Sequence, residues 1–289
     1  MFVVRFVCCG IVCVLAAATP AAAQGKSHAH GHQSSTPSGP SAAGSSTLVP
    51  AGTGVRNFGS WLDDASMIGE GQGVVTFGFG YWKTPDYREF DLPSLDWSVG
   101  LSPRVQFGFS VPFYHAGVPG GAVARGFGDM YLTTKIQLRD PSAHGVGFAV
   151  VPLIEVLSYA PRPDTSRVGW AIPGTVEIQR TGWRAFGTVG YFSRGAVFAS
   201  GAVEAALTDR AWVTGTISRS HSLEDDALSE ALGLSPTRTD VTVGATAAIT
   251  PALSVFGTVG RTISRADANS ASLFFTSGVS VSFVAWQHQ

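Results

Sequence analysis

From Asp129 to Arg139 the chain reads DMYLTTKIQLR and alternates almost without error. Asp129, Tyr131, Thr133, Lys135, Gln137 and Arg139 share one parity, and Met130, Leu132, Thr134, Ile136 and Leu138 share the other. Successive side chains of a strand point to opposite faces, so this stretch folded as β has one polar and one apolar face, whereas a helix would mix the two sets. A two-faced strand suits either a soluble sandwich or a membrane barrel with an apolar exterior, and the rest of the chain decides between them.

The pattern recurs along the chain. Beyond Gly69 no helical period persists, and about twelve strand-like pieces of roughly ten residues follow one another, as expected of an outer-membrane barrel. They are predicted near 74–82, 94–101, 105–114, 129–139, 147–159, 170–180, 183–194, 196–207, 211–220, 238–249, 253–264 and 272–284. The connections at 102–104, 140–145, 181–182, 208–210 and 250–251 are tight and supplied with Pro, Gly or Asp for turn geometry. Those at 83–93, 115–125, 160–169, 221–237 and 265–271 are longer. The exception is the one near Gly195, which is short where a long one is expected. Short turns at one end and long loops at the other match periplasmic turns and extracellular loops, and an even strand count puts both termini on the periplasmic side.

The faces agree. Val105, Phe107, Phe109, Val111 and Phe113 share one parity, as do Phe148, Val150, Pro152, Ile154 and Val156, and later Leu273, Phe275, Val279, Val281 and Phe283. Opposite to them stand Gln106, Ser110, Glu155, Thr276, Ser280 and Ser282. A carboxylate against lipid is costly, so Glu155 is expected inside. On this parity the lumen-facing candidates are Asp96, Asp129, Tyr131, Lys135, Glu155, Glu177, Arg184, Arg194, Glu204, Arg238 and Asp240. This mixture of signs fits a water-filled path for a polar solute or an ion-pair network filling a narrow barrel. Trp82, Trp97, Tyr114, Tyr159, Trp170, Trp183, Trp212 and Trp286 lie near strand ends, where interfacial girdles form.

Composition supports lipid as the solvent. Only 13% of the residues are charged, where a soluble exported domain carries about a quarter or more. The net charge of −1 offers no basic footprint for nucleic acid. Residues 1–23 have the layout of a secretory signal peptide, with Arg5 ahead of an apolar core and Ala21, Ala22 and Ala23 at the cleavage region. Cys8, Cys9 and Cys13 all lie within it, so the mature chain is expected to have no disulfide. Residues 24–58, rich in Ser, Gly, Pro and His, read as a disordered periplasmic tail. His28, His30 and His32 are weak candidate ligands for Zn or Cu. A solvated tail with incidental histidines is the simpler reading, and no cofactor is expected. Residues 59–69, GSWLDDASMIG, are predicted to form a short helix at the periplasmic mouth, with Ser60 as N-cap and Asp63 and Asp64 in its first turn. The barrel is expected over 70–286.

Catalytic readings fare worse. Ser218, Ser220, His221, Asp225 and Asp226 have the residue types of a hydrolytic triad. Adjacent residues of a strand point to opposite faces, however, and the stretch lacks the His-x-Ser-Asn-Gly pattern of outer-membrane phospholipase. The chain is therefore expected not to be an enzyme, with a lipid hydrolase as a remote alternative. The glycine clusters around Gly78 and Gly120 lack the Lys-Ser/Thr and the following helix of a phosphate loop.

Two stretches carry a family resemblance: SVGLSPRVQFGFSVPF from Ser98 to Phe113, and GFGDMYLTTK from Gly126 to Lys135. They resemble the outer-membrane barrel family of the meta-cleavage pathway of phenol degradation, with its Gly-Leu-(Thr/Ser)-x-Arg-x-(Glu/Gln)-x-Gly hairpin and Gly-x-Gly-Asp strand leading to Lys. The resemblance implies a transporter-like barrel for small solutes, hydrophobic or aromatic compounds among them. The expectation is thus an all-β, up-and-down transmembrane barrel of about twelve strands in the outer membrane of a Gram-negative bacterium. Its expected partners are outer-membrane lipid, a small-molecule solute and the barrel assembly machinery. A non-conducting structural or interaction barrel is the alternative.

Overall fold

Strand-forming segments with one apolar face must cover that face or present it to lipid, and closing the sheet removes its edges. The computed structural model describes residues 62–84, 88–117, 123–157, 166–193, 195–223, 235–264, 267 and 270–286. The expected signal peptide and tail, with His28, His30 and His32, together with Ser60 and Trp61, lie outside them. In chain order the strands are β1 (Gln72–Lys83), β2 (Arg88–Ser102), β3 (Val105–Gly117), β4 (Val123–Phe127) and β5 (Met130–Arg139). After a one-turn helix α1 (Pro141–His144) come β6 (Val146–Val150), β7 (Leu153–Val156), β8 (Val168–Ala171) and β9 (Gly174–Arg180). The rest are β10 (Trp183–Phe192), β11 (Ala196–Thr208), β12 (Ala211–Ser222), β13 (Thr237–Thr250), β14 (Leu253–Thr262) and β15 (Leu273–Val284).

Three pairs of these, β4 with β5, β6 with β7 and β8 with β9, are halves of single staves interrupted at Gly128 and Asp129, at Val151 and Pro152, and at Ile172 and Pro173. Proline cannot donate to the ladder, which accounts for the last two breaks. Twelve antiparallel staves result, and the pairing of β1 with β15, from Gln72 opposite Val284 to Lys83 opposite Leu273, closes the barrel.

The alternation carries through to three dimensions. Along β5, Tyr131, Lys135 and Gln137 are buried, while Leu132, Ile136 and Leu138 are exposed on the outside. Phe275, Val279 and Val281 on β15 are likewise exposed, with Thr276 and Ser280 buried behind them. An apolar outer band around a polar interior is the surface a hydrocarbon solvent requires. No helix among the described residues is long and apolar enough to cross a membrane.

Four expectations need correction. The long loop predicted over 83–93 is largely strand, since β2 begins at Arg88 with Glu89 and Asp91 buried and Phe90 outside. Similarly, β3 runs on to Gly117 and pairs with β4, so most of the loop predicted over 115–125 is sheet. The tight turn at 140–145 contains α1, capped by Asp140, whose carboxylate accepts from the Ser142 N–H at 2.8 Å, and ended by Gly145 in the left-handed region. Finally, Trp82 and Trp212 do not join an outer girdle: both are buried inside, on the parity of Thr76 and of Thr214 respectively. Trp170, Trp183 and Trp286 are exposed, Trp97 and Tyr114 half-buried, and Tyr159 lies outside the described residues.

Candidate functional site

The helix expected over 59–69 is not formed by the described residues 62–69. Leu62 to Gly69 carry no helical turn and instead run as an irregular strap inside the lumen, where Leu62, Asp63, Asp64, Ala65, Ser66 and Ile68 are all buried. A buried backbone must find partners for its N–H and C=O groups, and a helix would satisfy them internally. Here the barrel wall does so instead. Thr188 Oγ1 accepts from the Asp63 N–H at 2.9 Å, Glu177 Oε2 from that of Ala65 at 3.0 Å, and Gln106 Oε1 from that of Ile68 at 3.0 Å. In the other direction Thr175 Oγ1 donates to the Asp63 carbonyl at 2.6 Å, Gln137 Nε2 to that of Ala65 at 2.7 Å, and Lys135 Nζ to that of Ser66 at 3.1 Å. The strap is bound as a peptide ligand is bound.

Its charges explain why it sits there. Lys135 Nζ lies 2.7 Å from Asp63 Oδ1 and 3.0 Å from Asp64 Oδ1. Arg184 Nη1 lies 3.0 Å from Asp64 Oδ2 and 3.3 Å from Glu177 Oε1, while its Nε meets Glu204 Oε1 at 2.8 Å. Thr214 and Ser66 hydroxyls donate to the remaining oxygens of Glu204 and Glu177. Buried ions need this degree of pairing, because desolvation opposes each of them. Among the described residues every polar contact of Lys135 Nζ is made by the strap, whereas Arg184 also has two carboxylates of the wall. Arg184 Nη2 is buried without a hydrogen-bond partner.

The two strap carboxylates differ. Burial, reinforced by the neighbouring charge of Asp64, outweighs the pull of Lys135 and pushes Asp63 up to about 6. Asp64 meets both cations; burial works against its charge, but Lys135 and Arg184 outweigh it and hold its carboxyl below the usual range. Ahead of them Leu62 packs against Phe186 and Ala202, and the Arg184 guanidinium stands 4.9 Å above the Phe186 ring.

The structure buries Asp96, Asp129, Tyr131, Lys135, Glu155, Glu177, Arg184, Glu204, Arg238 and Asp240, and Arg194 lies outside the described residues. Lys135, Glu177, Arg184 and Glu204 converge on the strap. Tyr131 donates to Glu155 at 2.9 Å beside an apolar cluster of Leu153, Ala171, Phe192 and Phe198. Arg238 and Asp240 pair nearer the long-loop end, with Arg238 4.7 Å above the Trp82 ring and Trp82 stacked on Phe274. Residue parity did not reveal Asp63, Asp64, Glu89 or Asp91. Ser218 and Ser220 are buried inside while His221 lies on the outer face against Thr237, so the serines and the histidine face opposite ways; Asp225 and Asp226 lie outside the described residues. No cluster of three or more metal-ligating side chains occurs among the described residues.

The fold and site define a closed twelve-stranded β-barrel with an internal N-terminal strap. An outer membrane channel from Pseudomonas putida F1 shares this fold with a TM-score of 0.57 at 12% identity, over 76% of this chain and 98% of its own. The NanC porin matches with a TM-score of 0.53 at 9% identity, over 72% of this chain and 98% of its own. No protein-family model matches the chain, and no curated protein does.

Proposed function

We propose that this protein is an outer-membrane channel for small solutes, hydrophobic or aromatic ones among them, with residues 62–69 as its stopper. The carrying observation is the strap: a wall that binds the backbone of residues 63–68 through side chains holds it by contacts that can be exchanged one at a time. The apolar outer band makes outer-membrane lipid the surrounding solvent, with insertion by the barrel assembly machinery. The short turns and the strap share one end, which the reading places on the periplasmic side with both termini. The solved barrels that share the fold are described as a channel and a porin, a likeness at the level of fold. The resemblance of residues 98–113 and 126–135 to the meta-cleavage barrel family points the same way and suggests apolar solutes.

The buried ion pairs also suit a second reading, a permanently stoppered structural barrel. Conductance in a planar bilayer separates the two. The full chain is expected to pass small, intermittent currents, and a chain lacking residues 24–69 larger and steadier ones. Silence from both, with the folded barrel confirmed by heat-modifiable migration, sinks the channel.

A further inference from the structure

The strap occupies a cradle whose features describe a ligand. Leu62 fills an apolar niche formed with Phe186 and Ala202, and immediately beyond it the carboxylates of Asp63 and Asp64 meet Lys135 and Arg184. The strap thus presents an apolar body joined to a carboxylate. When it withdraws, Glu177 and Glu204 still accompany Arg184, but Lys135 keeps no ion pair within 4.0 Å among the described residues, only the more distant charge of Glu177. An unpaired buried ammonium is strongly disfavoured, so the empty cradle favours whatever returns a negative charge to it. A second, independent observation points the same way: Nη2 of the same guanidinium that holds Asp64 is buried and without an acceptor even while the strap is docked. A planar guanidinium suits two-pronged recognition of a carboxylate.

We propose that this cradle is a solute site for small carboxylates with an apolar body, of which an aromatic monocarboxylate is the simplest, and that such a solute competes with the strap for Lys135 and Arg184. This rests on the reading of the strap as a displaceable stopper, and it names what displaces it. The carboxylate takes the places of the Asp63 and Asp64 oxygens, and the ring takes that of Leu62 between Phe186 and Ala202. The site accordingly distinguishes solutes by charge as well as by apolar surface.

Isothermal titration of the purified full chain in detergent tests this with sodium benzoate as probe. Benzyl alcohol serves as its neutral counterpart and acetate as the acid without a body. Asp63→Asn combined with Asp64→Asn loosens the stopper and keeps the cradle, so benzoate should bind this variant about tenfold or more tightly than it binds the wild type. Both comparison compounds should bind it about tenfold more weakly than benzoate does. Adding Lys135→Met should then weaken benzoate by about thirtyfold or more. Benzoate binding no tighter than benzyl alcohol, or unmoved by Lys135→Met, overturns the proposal. If the double variant fails to fold on a heat-modifiability gel, Asp64→Asn alone makes the same comparison. Potassium chloride conductance separates this inference from the channel reading: a silent barrel that binds benzoate sinks the channel alone, and a conducting barrel blind to benzoate sinks the cradle alone.

Discussion

Two charged clusters share the interior, and they are completed in opposite ways. Near the long-loop end, Arg238 Nε contacts both oxygens of Asp240 at 3.1 Å, and Asp240 accepts from the Thr262 hydroxyl at 2.6 Å. The two ions stand two residues apart on β13, on the same face by the period of the strand, and the Trp82 ring that carries Arg238 is also part of the wall. The partners named here for this cluster all belong to the barrel wall. Lower in the lumen, Lys135 finds its carboxylates 71 and more residues away, on a segment that belongs to no strand. A charge paired within its own strand is fixed as soon as the strand forms, whereas one completed by a detachable segment adds stability only while that segment is present. On the channel reading proposed above, the first cluster is structural and the second a latch.

The largest effect that sharpens this contrast is expected from Arg184→Met. It leaves Asp64, Glu177 and Glu204 without their shared cation, and removing one partner from a buried ion network costs about 3–5 kcal/mol. The urea midpoint of the folded barrel, followed by the heat-modifiable band, should fall accordingly. Arg238→Gln removes the other guanidinium but leaves Asp240 its bond from Thr262. The loss should be about 1.5–3 kcal/mol, the range for a hydrogen bond to a charged group, with bilayer conductance as in the wild type. Equal losses from the two changes, or a leak from Arg238→Gln, would break the distinction between wall and latch.

Most of the barrel is legible in residue parity because the sheet's period of two is a local property that lipid on one side and water on the other make strict. Trp82 and Trp212 were legible too: each shares parity with buried threonines on its own strand, and proximity to a strand end was the weaker signal. The upper part of β2 was hidden by the irregularity between Asp91 and Ser94, which shifts register and so disguises Glu89 and Asp91 as loop residues. The strap was not legible at all. GSWLDDASMIG has the caps and apolar spacing of a short helix, and what overrides them is a set of wall side chains up to 125 residues away that bond its backbone one group at a time. Local sequence favours a helix only where nothing else competes for the same N–H and C=O groups.

The smallest expected effect on stability belongs to Gly100→Ala, and it isolates the latch most cleanly because it changes no charge. Gly100 pairs with Glu70 in an isolated parallel bridge and lies where the strap leaves the lumen. A Cβ there would stand 2.3 Å from the Gly69 carbonyl oxygen and 2.5 Å from that of Ile68, distances that no side-chain carbon tolerates, so the backbone of the strap has to move. The three nearest atoms all belong to Ile68 and Gly69, so the conflict falls first on the strap. Stability read from the urea midpoint should therefore fall by only about 1 kcal/mol, the common cost of a point substitution, while displacement at Gly69 loosens the grip on Asp63 and Asp64 and raises conductance. A leak with so small a loss of stability would show that the lumen is stoppered by an occupant. If Gly100→Ala instead unfolds the barrel and Arg184→Met does not, the strap is part of the wall and the two clusters are one.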